Sequence, residues 1–244
     1  MFRVQRVFIA SERAYLALLL GVSFLAYLPN FFILYLGGDE SGRHVMCRET
    51  FTGGLYTELS SHRPPFDFEM NYLWSFGCKN LWADHYFFAF WLFFGGYFLY
   101  EILKGFFSKE ASRVSTLLYV LLGGMINYGA GANERMYLPF ILAAAYLTFR
   151  LPLYSRWSSL IFRSTLIGVL LMAATSIKQT AGIVGFGVVL LFLLVRPWKL
   201  LQLFVCGLFA VLGGLIFLTV TWSATRVPWQ TIWQEGYSSN LSYI

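Results

Sequence analysis

Four polar points in an otherwise apolar chain carry the side chains that group transfer at a membrane rim requires. Asp39-Glu40 follows the flexible pair Gly37-Gly38, directly after the first apolar block. A carboxylate there can take a proton from an attacking hydroxyl or amine, or hold a divalent cation. The plain alternative is a solvated helix end. Arg63 stands between His62 and the pair Pro64-Pro65. Its planar fork matches phosphate oxygens and keeps its charge, and the prolines fix the backbone around it; a headgroup anchor or an ordinary surface turn has the same composition. Lys178, in TSIKQTAG, is a lone cation between two apolar segments, which reads either as a functional charge or as a lysine snorkelling to the interface. Glu134, in GAGANERMYLPF, sits in a glycine-rich turn. There it either faces the same cavity as Asp39 or pairs locally with Arg135. His44, His62 and His85 suit a metal or phosphate site and equally suit ordinary loop and helix-start positions.

Elements that can hold such groups follow from composition. Hydrophobic residues make up 58% of the 244 positions and charged ones only 12%, against about a quarter charged in a typical soluble domain. The apolar residues run in long blocks rather than in a 3.6-residue stripe. A net charge of +6 comes without any basic run or face, which argues against nucleic acid. Three cysteines are too few and too scattered for a metal framework. Cys47 and Cys78 share one polar loop, where they either pair in an oxidising compartment or remain free thiols.

Seven apolar blocks can be drawn: Ala14–Leu36, Tyr86–Phe107, Val114–Tyr128, Met136–Phe149, Ser164–Ile177, Thr180–Val195 and Leu200–Trp222. The first, about 23 residues long, reads as a membrane helix rather than a cleaved signal, because no small-x-small site follows it. The middle four run 14 to 16 residues, short of the roughly 20 that a perpendicular span needs. Such clustering suits helices packed around a cavity. With the N-terminus in the cytoplasm, that side collects 11 of the 18 basic residues but only Glu12, Glu101 and Glu110 among the acids, as the positive-inside rule requires. The external side then holds residues 37–85 as one long loop, Glu134, Lys178 and a tail from 223 to 244. Within that loop, Phe66–Trp82 is expected to form a short helix along the membrane surface, aromatic on one face. Gly123-Gly124 and Gly213-Gly214 read as helix-packing positions. The fold expected is an all-α polytopic membrane protein of about seven transmembrane helices with a large external first loop carrying short amphipathic helices.

The order of these features resembles the membrane glycosyltransferases of the GT-C fold, in the branch of dolichyl-phosphate-mannose protein mannosyltransferases and aminoarabinose transferases. In that family an acidic pair opens the first loop and is followed by a G-x-x-Y … [HK]-[KR]-P-P-[LF] pattern. Gly53, Tyr56, His62, Arg63, Pro64, Pro65 and Phe66 fit it here, within GGLYTELSSHRPPFDFEMNYL. The resemblance covers residues 1–222 as the family's catalytic module. It implies transfer of a sugar from a polyprenyl-phosphate donor to a protein, lipid or glycan acceptor on the non-cytoplasmic face. Asp39 would be the base or acceptor-positioning carboxylate, with Glu40 its neighbour and Glu134 the second acidic position. Arg63, with His62 beside it, and Lys178 would contact the donor phosphate. Members of the family differ over a divalent cation. They also commonly have more helices and a C-terminal domain, so residues 223–244 read as the start of a missing part.

Two other readings remain. A non-catalytic membrane subunit or truncated remnant would stabilise a larger complex. A transporter would use Lys178 and Glu134 as pathway charges, but the chain has no internal repeat and its charges lie at one rim rather than at mid-depth.

Overall fold

The computed structural model describes residues 11–32, 46–54, 65–126, 132–151, 157–195 and 199–238. Among them there is no strand. Seven long helices run along the chain: α1 (Glu12–Phe32), α3 (Leu81–Leu103), α4 (Lys109–Ile126), α5 (Ala132–Phe149), α6 (Trp157–Thr175), α7 (Gln179–Leu194) and α8 (Leu200–Thr225). A shorter helix, α2 (Pro65–Trp74), precedes α3, and a π-helix over Ile232–Ser238 follows α8. Four helices are long and apolar enough to cross a membrane, at Glu12–Pro29, His85–Leu103, Trp157–Thr175 and Leu200–Thr225, and they mark the chain as an integral membrane protein. Met136–Phe149 and Gln179–Leu194 are shorter apolar helices. α4 opens on Lys109, Glu110 and Arg113.

Three helices begin at a side-chain cap rather than where hydropathy rises. Ser11 Oγ accepts from Ala14 N at 3.1 Å, Asn80 Oδ1 from Ala83 N at 3.2 Å and Ser108 Oγ from Ala111 N at 3.2 Å, each satisfying an amide that the first turn leaves open. α6 starts at Trp157, well before the apolar edge at Ser164, and carries Arg163 within the helix. The expectation of four short middle segments is corrected there, because backbone hydrogen bonding continues through polar residues that a hydropathy edge excludes. Polar side chains at depth are satisfied internally. Ser23, Thr116, Thr148 and Thr175 donate to carbonyls four residues back, at 2.8, 2.7, 2.8 and 2.7 Å, as a low-dielectric surrounding demands.

Small residues set the packing. A Cβ at Gly168 would strike the backbone of Ala210, and one at Gly213 the backbone of Thr165, so α6 and α8 touch main chain to main chain. Gly124 of α4 would meet the Ala26 carbonyl of α1 at 2.8 Å. Gly123-Gly124 and Gly213-Gly214 therefore have the packing role expected of them. α3 lies between α1 and α5, with Tyr15 and Tyr100 rings 4.6 Å apart.

The two ends of the bundle differ. At one, Lys104 Nζ binds Glu12 at 2.7 Å and Glu101 at 2.5 Å, and Arg150 reaches Glu101 at 3.4 Å. These pairs tie the ends of α1, α3 and α5 and gather the basic residues. At the other end Cys47 and Cys78 form a disulfide with Cα atoms 6.3 Å apart, which settles the sequence alternatives in favour of pairing. The disulfide packs with Phe68, Val227 and Ile232.

Candidate functional site at the disulfide end

α2 covers the disulfide end of the bundle. Phe66 and Met70, one turn apart, face Phe87, Met136, Phe140 and Ile177. Phe68 and Tyr72, on another face, join the disulfide, Val227, Ile232 and Tyr237. The helix therefore bridges the ends of α3, α5 and the α6–α7 turn on one side and the segment after α8 on the other. Asp67, Glu69 and Asn71 are buried along with its apolar residues. This corrects the expectation of a surface helix over Phe66–Trp82 with a single aromatic face: α2 ends at Trp74 and is enclosed over most of its length. A tight turn follows it, with Phe76, Gly77 and Cys78 all in the left-handed region (φ 52°, 73° and 61°). Gly77 N donates to Tyr72 O at 2.8 Å and Cys78 N to Ser75 Oγ at 3.0 Å. The disulfide then pins this strained turn.

Glu69 lies at the angular gap between the two apolar faces of α2, on the side near Tyr237. It is 5% exposed, and its Oε1 is buried without a hydrogen-bond partner among the described residues. Burial raises its carboxyl from the ordinary carboxylate range to about 8, because a charge in such surroundings loses its hydration. Tyr237 Oη and Ser176 Oγ lie 3.1 Å apart. Gln179 Nε2 donates to the carbonyls of Gly236 and Tyr237 at 3.1 and 3.0 Å. Burial also raises the Tyr237 phenol, and the nearby Glu69 adds to the effect while the Ser176 hydrogen bond opposes it. The result is a polar cluster at the head of α7, held by three separate parts of the chain.

Lys178 occupies the N-cap of α7, half-buried and extended (φ −148°, ψ 123°). This agrees with its expected place between two apolar segments. Below it an apolar cavity of about 540 Å³ runs between α6, α7 and α8. Thr175, Gln179 and Gly182 line its upper part, and Phe186, Cys206 and Val211 continue it along the helices. Its size falls within the range of small-molecule sites.

Glu134 falls within the first turn of α5. Its expected place in a glycine-rich turn is thereby corrected, since the helix starts at Ala132 immediately after the glycines. Asp39, Glu40, His62 and Arg63 lie outside the described residues. Among the described residues no three His, Cys, Asp or Glu side chains gather as a metal site. His85 is buried, with its ring 6.1 Å from that of Tyr27 and 6.3 Å from that of Trp82, a packing position. Sequence reasoning overlooked Glu69, Ser176 and Tyr237 as partners. Glu69 had one local signal, its position within the PFDFEMNYLW helix flanked by apolar residues; Tyr237 had none, being assigned to the tail.

No protein-family model matches the chain, and neither a curated protein nor a solved structure matches it.

Proposed function

We propose that the chain is a membrane glycosyltransferase that moves a sugar from a polyprenyl-phosphate donor to an acceptor at the disulfide end of the bundle, on the non-cytoplasmic face. The observation that carries this reading is the apolar cavity between α6, α7 and α8, whose upper part is lined by residues flanking Lys178. A lipid donor needs an apolar groove for its chain and a cation at the rim for its phosphate; the cavity, and Lys178 next in sequence to its lining residue Gln179, support this reading.

In this mechanism Lys178 and Arg63 offset the charge that builds on the departing phosphate. Asp39 accepts the proton of the attacking acceptor hydroxyl, and Glu40 and Glu134 supply the further acidic positions. A disulfide beside the site fits an oxidising compartment, and basic residues at the opposite end fit the cytoplasm.

The test is incubation of the full-length protein in lipid with a panel of labelled polyprenyl-phosphate sugars. Transfer should occur with at least one donor and vanish in Asp39→Asn while membrane insertion persists. Absence of transfer across the panel would favour a non-catalytic subunit of a larger membrane complex.

A further inference from the structure

A second cavity, of about 470 Å³, opens at the basic end of the bundle among the ends of α1, α3 and α5. Its polar wall sets Lys104, Lys109 and Arg150 against only Glu12 and Glu101, so the cations are in surplus. The ion pairs are also unequal. Lys104 sits between both carboxylates, with Glu12 Oε1 at 2.7 Å and Glu101 Oε1 at 2.5 Å. Lys109 reaches Glu12 only at 3.8 Å, and Arg150 Nη2 reaches Glu101 at 3.4 Å; each keeps about half of its side chain exposed. Pairs so long leave most of the ammonium and guanidinium donors open to another partner. Arg163, whose Nη1 donates to the Arg150 carbonyl at 2.5 Å, adds positive charge beside them. The remaining wall is aromatic. Phe149 lines the cavity and presses on Gly105, where even a Cβ would strike its ring. Its ring lies 5.3 Å from that of Phe106 and 6.0 Å from that of Phe192. Phe106 is exposed, as are Leu191 and Leu194 beside Phe192 on α7. An apolar shelf thus leads from the cations out to the lipid-facing surface.

We propose that this cavity binds the headgroup phosphate of an anionic phospholipid from the adjoining leaflet, with Arg150 and Lys109 on its oxygens and the phenylalanine shelf under its acyl chains. A phosphate diester brings one negative charge, which the cation surplus matches, and a guanidinium fork fits two of its oxygens. Basic pockets between membrane helices at the interface suit such headgroups. Lys104 engages both carboxylates and so offsets their repulsion of the phosphate. A zwitterionic lipid carries its own ammonium, which Lys109 and Arg150 would oppose. A soluble phosphate could use the cations but has no use for the shelf, and that selects the lipid. The site lies at the end away from the disulfide and needs neither a sugar donor nor an acceptor, so it stands apart from the transfer reaction.

The experiment titrates the full chain in neutral detergent with phosphatidylglycerol or with phosphatidylcholine of the same acyl chains, and counts retained lipid by native mass spectrometry. Saturable retention of phosphatidylglycerol over phosphatidylcholine is expected. Arg150→Gln and Lys109→Gln should each weaken it about fivefold, the worth of one cation near an anionic lipid, and Arg150→Lys should lose less than Arg150→Gln. Lys199→Gln removes an exposed cation outside the cavity and should change retention by less than about twofold. Phe106→Ser should weaken the lipid, and inorganic phosphate should compete poorly with it. Equal retention of the two lipids, or Arg150→Gln and Lys109→Gln variants that bind like the unmodified protein, would overturn the site. A loss at Lys199→Gln as large as at Arg150→Gln would replace it with general surface attraction. Strong competition by inorganic phosphate, with Phe106→Ser without effect, would overturn the lipid as its occupant. Should Arg150→Gln fail to fold, Lys109→Gln at the exposed rim decides the outcome.

Discussion

The Tyr237 hydroxyl lies 3.1 Å from Ser176 Oγ and so fastens the helix after α8 to the turn between α6 and α7. Both residues are largely enclosed, and Gln179 adds two hydrogen bonds to the same π-helix. A π-helix is rare and is frequently found at functional sites.

Removing that hydroxyl should loosen the cover of the site. Tyr237→Phe leaves the ring in place but strands Ser176, so unfolding should become easier by about 1–3 kcal/mol. Ser176→Ala combined with Tyr237→Phe should cost less than the sum of the two single changes, because the pair shares one bond. Thermal melting in detergent reads both effects. Additive single-site costs would show that the two hydroxyls do not interact.

Stability should also respond to pH through Glu69. Its carboxyl titrates near 8 when folded and near its ordinary value of 4.5 when unfolded. Between those values the folded chain holds a proton that the unfolded chain has released, so stability falls as pH rises. The contribution is complete below about 4.5, declines across the window and is gone above about 8. Tyr237 keeps its proton throughout this range, since burial raises it further. Glu69→Gln should flatten the fall in melting temperature between pH 5 and pH 8, the window set by those two carboxyl values. An unchanged slope would mean that Glu69 is ionised and solvated in the folded state.

How much of this was legible beforehand depended on the range of the forces involved. Each of the seven long helices overlaps an apolar block, and four of them are long and apolar enough to cross a membrane, because an apolar surrounding leaves a local mark on composition. The start of α8 at Leu200 was read correctly, whereas most other starts were drawn too late, furthest at α6, since its hydrogen-bonded turns extend through Ser158, Ser159 and Arg163 where hydropathy has already fallen. Glu134 looked like a turn residue because glycines precede it, whereas Ala132 begins the helix at once. The burial of Glu69 left only its apolar flanks in PFDFEMNYLW as a local mark. Its carboxyl reads as solvated until the segment carrying Tyr237 arrives from a distant part of the chain, and such proximity is set by packing rather than by neighbours in sequence.

Close packing between α6 and α8 yields a sharp pair of outcomes. Gly168→Ala places a methyl against the Ala210 carbonyl, which forces main chains apart at a cost of about 1–3 kcal/mol. Gly207→Ala, with nothing within 4 Å of the added atom, should be neutral or stabilising by up to about 1 kcal/mol through helix propensity. Both residues line the same cavity, so the contrast isolates helix contact from cavity shape. Equal melting temperatures for the two variants would refute the close α6–α8 approach.

Glu101 is the hub of the basic end. It is buried and binds both Lys104 and Arg150, while Glu12 is about half exposed and binds Lys104 from α1. Glu101→Ala removes the acid common to two cations and should cost about 1–2 kcal/mol, discounted because Lys104 and Arg150 retain access to water. Glu12→Gln should cost less than about 1 kcal/mol. Chemical denaturation would rank them, and a larger loss at Glu12 would move the hub from α3 to α1.

The sidedness of the chain is open to direct measurement at its two ends. The Cys47–Cys78 bridge closes a separation of 31 residues, and loss of such a cross-link typically costs about 2–4 kcal/mol. Cys47→Ser with Cys78→Ser should therefore lower the melting temperature and release the turn that follows α2. In that cysteine-poor background, Lys79→Cys lies exposed on the disulfide end and Lys109→Cys at the basic end. A membrane-impermeant maleimide added to sealed, right-side-out vesicles should label the first at once and the second only after permeabilisation. The retention of positive residues in the cytoplasm and the formation of disulfides in oxidising compartments are independent physical rules, and each predicts this result. Labelling of position 109 in sealed vesicles, with 79 protected, would invert the chain and put the proposed transfer site on the cytoplasmic face, where a cytosolic donor would have to replace the external lipid one.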